Sequence, residues 1–244
     1  GALDSTQAPD SAGNMQGEAL VRVRAACAAL ENAYQLTLLP NGQPIPINDT
    51  WVAGGNAAGE AHSRLLPGVG LSVLACGRGD TALTAWLNNS SGPGHKHSDA
   101  LSIGLSVGAR EVLRDIGYTH TAWRAWPGTM MSHNTVVVDG LDSTPDHEHR
   151  QNRLRCFVTD DGEFHLTEAD NDAAYSGRCT RFRRTLMLVG RDAADGYLVD
   201  VFQVSGGAQH DWLMHGPAAE DSVLGVSGPE LEPDADALMN AGTE

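Results

Sequence analysis

The sequence predicts a mainly β protein: an antiparallel β-sandwich preceded by a short helical segment. Three observations predict it. From about Leu71 onward apolar residues alternate with polar ones in short runs broken by Gly, Asn and Asp, the texture of antiparallel strands joined by tight turns. Only one stretch, "MQGEALVRVRAACAALENAYQLTLL", strings good helix formers together, with Leu20, Val23, Cys27, Leu30 and Tyr34 on one face. At 244 residues with 41% hydrophobic content, the chain can bury a sizeable core.

The helix is expected from about Gly17 to Leu39. "PNGQPIPIND" ends it, because three prolines and a glycine favour extended backbone, and this places a boundary near residue 45. A helix without a helical partner in its own sequence reads as the tail of a helical domain. Residues 1–45 are therefore assigned to that tail and a linker, and residues 46–244 to the sandwich. "LSVLACGRGDTALTAWLNN" reads as two strands around a Gly-Arg-Gly-Asp turn, and "ALSIGLSVGAREVLRDIGY" as another pair. "HNTVVVDG" is a strand, "RCFVTDDGEFHLTEAD" a hairpin on its Asp-Asp-Gly turn, and "RRTLMLVGRDAADGYLVDVFQV" two further strands, about ten in all. Both ends read as cut: the first residues lack an initiator Met and a signal-peptide pattern, and the last form an acidic, loop-like tail.

A formal net charge of −15 argues against nucleic acid or an anionic membrane as partner, since long-range electrostatics oppose approach. An anionic ligand would need local arginines. No run approaches the roughly 18–20 apolar residues of a transmembrane helix. Cys27, Cys76, Cys156 and Cys179 form no CxxC pair, which disfavours a cysteine zinc site, and Cys156 and Cys179 could face each other across paired strands.

The chemistry concentrates in "SSGPGHKHSDALSIGLSVG". If the strand begins early, alternation puts His95, His97 and Asp99 on the face of Leu101, Ile103, Leu105 and Val107, so an apolar inner face continues into imidazoles and a carboxylate. Two readings stay open: histidines hydrogen-bonded at the edge of a core, or a metal or catalytic pocket. Asp115, at the end of the next strand, and His133, opening "SHNTVVVDG", can come alongside. Two imidazoles and a carboxylate with a fourth position open make a common zinc shell.

The series "GHKHSDALSIGLSVGAREVLRDIGY", "SHNTVVVDG" and "AAYSGRCTRFRRTLMLVGRDAADGYLVDVFQV" resembles the β-sheet domain of the heparinase II/III-like polysaccharide lyases, over roughly residues 40 to 216. The resemblance implies an N-terminal (α/α) toroid joined to the sandwich, with the helix of residues 1–45 as the toroid's remnant. It further implies zinc held by His97, Asp115 and His133, largely to fix loops, and His95 near the substrate, with Tyr118 close to the position of a family tyrosine. The implied reaction is β-elimination at a uronate of an acidic polysaccharide or oligosaccharide, either of glycosaminoglycan or of alginate type, by a periplasmic or secreted enzyme. The groups that neutralise the uronate, and the principal catalytic tyrosine, would lie in the toroid. A homodimer is a further partner left open.

In the loop between Asp115 and His133, Arg124 could pair with a carboxylate and Trp126 could stack on a sugar ring. His147 and His149 read as surface histidines, and His210 and His215 as the finish of a core-facing strand. Asn134 reads as a backbone brace, and Tyr175 as a turn cap. Arg178, Arg181, Arg183 and Arg184 read as salt-bridge partners of nearby carboxylates, split by alternation between two faces. Two alternatives compete with the lyase: a cupin-like metal-dependent enzyme, which lacks the glutamate expected after its HxH, and a non-catalytic carbohydrate-binding β-sandwich.

Overall fold

The computed structural model describes residues 11–50, 61–90, 95–143, 152–160, 163–217, 223, 225, 227 and 228, with the side chains of 11–16 excepted. His147, His149 and the acidic tail lie outside the described residues. The chain divides into two compact units, residues 1–37 and 38–244.

The first unit is built on helix α1 (Ser11–Gln35), which starts six residues before the expected Gly17. It closes where the backbone N–H and the hydroxyl of Thr37 both donate to the Tyr34 carbonyl, at 2.9 and 2.7 Å. Leu38 and Leu39 do not continue the helix, because Leu38 bridges Pro44 and the Leu39 N–H donates to the Gln43 carbonyl. The boundary expected near residue 45 thus falls at 37/38. The segment read as a linker is instead a cover: Leu39, Ile45 and Ile47 pack on Leu71, Val73 and Trp86.

The second unit is the predicted sandwich. Strands β1 (Arg64–Leu66), β2 (Leu71–Cys76), β3 (Leu83–Asn88), β4 (Ile103–Val107) and β5 (Arg110–Leu113) form one antiparallel sheet in sequence order. After β6 (Val136–Val138), strands β7 (Arg153–Thr159), β8 (Phe164–Asp170), β9 (Cys179–Val189) and β10 (Tyr197–Gly206) form a second, ordered β10-β9-β8-β7. Strand β11 (His210–Trp212) returns to pair with β6.

Alternation explains why every residue of β2 and β3 is buried. Leu74, Cys76, Leu83 and Leu87 face one way, into a core shared with Phe182, Leu186 and Leu188 of β9, while Leu71, Val73 and Trp86 face the cover segment. Ile103, Leu105 and Val107 join the shared core as their parity predicts. Gly104 has the opposite parity and pairs with Trp86 across the ladder, where a Cβ would stand 1.9 Å from Trp86 Cζ2. Gly104→Ala is therefore expected to cost about 3 kcal/mol through overpacking, measured by urea unfolding.

The expected facing of Cys156 and Cys179 does not occur. They lie on β7 and β9 with β8 between them, and all four cysteines are free thiols. No helix among the described residues is long and apolar enough to cross a membrane.

Candidate metal centre

The site is assembled from three loops at one end of the first sheet. The strand of the HxH motif does not begin early. Residues 95–102 form a loop before β4, and Leu101 adopts a positive φ of 55° that breaks the alternation. His95, His97 and Asp99 therefore do not share a strand face. The loop is shaped by long-range partners: the Ser98 N–H donates to the Gly128 carbonyl (2.9 Å), and the Thr135 hydroxyl donates to the Ala100 carbonyl (2.8 Å). The His95 side chain is left 89% exposed and that of His97 7%.

Asp115 lies just past β5. Its Oδ1 accepts the Gly117 N–H at 2.7 Å, and Gly117 adopts a φ of 63°, so the Asp-x-Gly spelling encodes a turn that only glycine closes without strain. Oδ2 is thereby aimed inward. His133 follows a 3₁₀ turn (Met130–Ser132) rather than opening a strand, since β6 begins at Val136. Asn134 braces the junction. Its Nδ2 donates to the Ile103 and Arg114 carbonyls (3.1 Å each), and its Oδ1 accepts the His215 N–H (2.5 Å).

These loops bring His97, Asp115 and His133 together, all buried, each offering one ligand atom within 4.8 Å of the others. His133 Nδ1–H donates to the Thr129 carbonyl at 2.7 Å, which fixes Nε2 as the nitrogen facing the cluster. His133 Nε2 and Asp115 Oδ2 stand 3.3 Å apart without a hydrogen bond between them. Two ligands held about 2 Å from a tetrahedral zinc ion are separated by about 3.3 Å, so this pair already has the spacing of a coordination shell. Burial pulls the His133 imidazole down, but Asp115 and Asp99 beside it win and raise its pKa to about 9. The field that holds a proton there suits a cation equally. Two imidazoles and a carboxylate in a dry pocket fit zinc.

Asp99 stands behind the cluster, its Oδ2 accepting from Asn88 Nδ2 at 2.8 Å, and burial pushes its carboxyl pKa up. A third carboxylate, which the sequence did not single out, is Asp49. One oxygen meets His95 Nδ1 and the other His97 Nε2, both at 2.8 Å. A signal existed: Asp49 is the only acidic residue between Glu31 and Glu60, at the end of the proline-rich segment. With Nε2 engaged by Asp49, His97 has Nδ1 to offer a metal.

The remaining candidates occupy the loop after Asp115. The Tyr118 N–H donates to the Thr50 carbonyl (3.2 Å), beside Asp49. Arg124 lies over the Tyr118 ring at 5.1 Å from its centre, and His120 meets that ring edge-on at 4.9 Å. Trp126 is half-buried in a 3₁₀ turn, whereas Trp123, which the sequence analysis passed over, is 52% exposed. His215 donates from Nε2 to the Met131 carbonyl (2.9 Å), and His210, exposed, to that of Gly206 (2.7 Å). Tyr175 is buried against Phe182, its hydroxyl between the Val138 N–H and the Leu141 carbonyl.

A family model described as "Heparinase II/III-like, C-terminal" matches residues 58–234. Among solved structures, a heparinase III gene product is 16% identical, with a TM-score of 0.64 over 79% of this chain and 34% of its own. A structure of heparinase III is 17% identical, with a TM-score of 0.61 over 79% of this chain and 37% of that one. The heparan sulfate lyase HepC from Pedobacter heparinus is 15% identical, with a TM-score of 0.56 over 70% of this chain and 31% of that one. The chain thus spans about a third of the length of the structures it matches. No curated protein matches it. The family match, rather than the two-sheet architecture that cupins share, speaks against the cupin-like alternative.

Proposed function

The chain belongs to the heparinase II/III-like family through its C-terminal domain, and from that premise we propose that the whole protein is a polysaccharide lyase cleaving uronate linkages of an acidic polysaccharide by β-elimination. The observation that carries this reading is the convergence of His97, Asp115 and His133 from three separate loops beside the outward-facing His95. Similarity to heparinase III and to a heparan sulfate lyase favours a glycosaminoglycan-type polymer, with alginate-type polymers as the second class to assay.

In such a reaction the C5 proton of the uronate leaves to a base, its electron pair forms the C4–C5 double bond, the C4–O4 bond breaks, and an acid protonates O4. The carboxylate must first be neutralised for that proton to be removable. His95 suits the base: Asp49 engages Nδ1–H, which fixes the tautomer with Nε2 as the accepting nitrogen on a side chain that is largely exposed. Tyr118 suits the acid, its phenol supplying the proton to O4, with the Arg124 cation over its ring to steady the developing charge. Arg124 and Trp126 are assigned to the substrate carboxylate and a sugar face. His97, Asp115 and His133 would hold a zinc ion, which when bound would supply fixed positive charge and tie their three loops together beside His95. With this reading goes a periplasmic or secreted location, which rests on the family resemblance alone.

The test is the ultraviolet absorbance of the unsaturated uronyl product, with the whole protein offered heparan, chondroitin and alginate polymers. Product is expected from at least one of them, and His95→Ala is expected to slow its formation about 100-fold. Silence on every uronate polymer removes the reading.

A further inference from the structure

We infer that Asp49 is a positioning residue shared by the metal centre and the base, a single carboxylate that sets the ring orientation and tautomer of both His97 and His95. The His95 half rests on the lyase reading above; the His97 half does not.

The geometry is specific. Each carboxylate oxygen takes one imidazole N–H at 2.8 Å, Oδ1 from His97 Nε2 and Oδ2 from His95 Nδ1. The two contacts select opposite tautomers from adjacent members of one HxH motif. Nδ1 of His97 then serves the buried cluster, and Nε2 of His95 is the accepting nitrogen of an exposed ring. A carboxylate behind a metal-bound imidazole fixes its ring and raises its basicity, and a carboxylate behind a general base does the same.

An exposed His–Asp pair alone contributes little, because ordering two side chains offsets the attraction. Here the ordering is already done: Asp49 is tied to the buried His97, so holding the 89% exposed His95 immobilises only one further side chain. The carboxylate arrives from the segment that also covers the first sheet through Ile45 and Ile47, and Thr50 beside it holds the Tyr118 backbone. The cover segment thus reaches the metal centre, the base and the acid.

The test uses the full chain loaded with zinc, as wild type and as Asp49→Ala, Asp49→Asn and His95→Ala. Zinc affinity is measured by chelator competition, and the histidine tautomers are read from ring ¹⁵N chemical shifts. Asp49→Ala is expected to weaken zinc roughly 10–100-fold and to release His95 from its single tautomer, whereas His95→Ala leaves zinc affinity unchanged. Circular dichroism checks that Asp49→Ala folds. Should it not, Asp49→Asn decides: the carboxamide accepts through one atom only, so one of the two histidines must lose its acceptor and one readout must move. Zinc held as tightly by Asp49→Ala as by wild type, a His95 tautomer unchanged in Asp49→Ala, an Asp49→Asn variant in which neither readout moves, or a wild-type chain that binds no zinc overturns the inference. Absence of uronyl product from the wild-type protein removes the lyase reading instead, and the zinc and ring measurements still judge Asp49.

Discussion

Replacing Arg184 by methionine is expected to destabilise the fold by about 3–5 kcal/mol, seen as a lower urea midpoint with an unchanged slope. Arg184 sits on β9 with core parity, between Phe182 and Leu186, and is fully buried. Four of its five N–H groups are engaged: Nε and Nη2 donate to the two oxygens of Asp200 at 2.8 and 2.6 Å, and Nη1 to the Leu101 and Asn134 carbonyls at 2.8 and 2.5 Å. The Phe202 ring covers it at 5.0 Å. Methionine fills the volume but strands a buried carboxylate and two carbonyls, and an uncompensated buried charge is the costliest of these.

The same substitution is expected to reach the metal centre. Leu101 closes the loop that carries His97 in a left-handed conformation that a leucine holds only when its surroundings dictate it, and Asn134 follows His133 directly. Arg184 is the donor common to both loops. The double variant Arg184→Met with Asp200→Leu separates the two effects: removing both charges is expected to restore most of the stability, yet the two carbonyls still lack their donor, so zinc affinity stays low. A double variant that recovers both would show that Arg184 serves the core alone.

Arg184 also shows where the sequence was legible and where it was not. Alternation along β4 and β9 was readable because one face packs into the shared core while the other carries Ser, Gly, Thr or Arg, so a one-residue slip would turn the entire core set outward. Arg184 falls on the inward parity with Phe182, Leu186 and Leu188, and Asp200 holds the same parity on the neighbouring strand with Leu198 and Phe202, so the buried pair was within reach of that pattern. The HxH loop was not. Its backbone is held by Arg184, 83 residues from Leu101, and by Thr135, 35 residues from Ala100, and local propensity carries no trace of either. Asp49 was hidden for the same reason, 48 residues before His97 in a segment whose prolines read as linker. The Asp-x-Gly turn that aims Asp115 is the opposite case, since aspartate, its backbone N–H partner and the left-handed glycine lie within three consecutive residues.

Zinc is expected to stabilise the wild-type chain by about 4 kcal/mol at a free concentration a thousand times its dissociation constant, and His133→Ala is expected to abolish that gain. Removing one of three protein ligands should weaken zinc by more than the 10–100-fold loss typical of a partner that only supports a ligand. Thermal unfolding with zinc and with a chelator measures both. The metal-free variant carries a separate cost. Without the His133 imidazole, Asp115 and Asp99 face each other in a buried pocket with one cation fewer between them, so His133→Ala with chelator should also melt below the wild type with chelator. Asp115→Asn is the informative companion: it removes a ligand and one of the two crowded negative charges together, so it should lose the zinc shift with a smaller metal-free penalty. Because one ion would draw a ligand from each of these two residues, both variants must lose the shift; either one keeping the wild-type response would mean that the stabilising ion sits elsewhere.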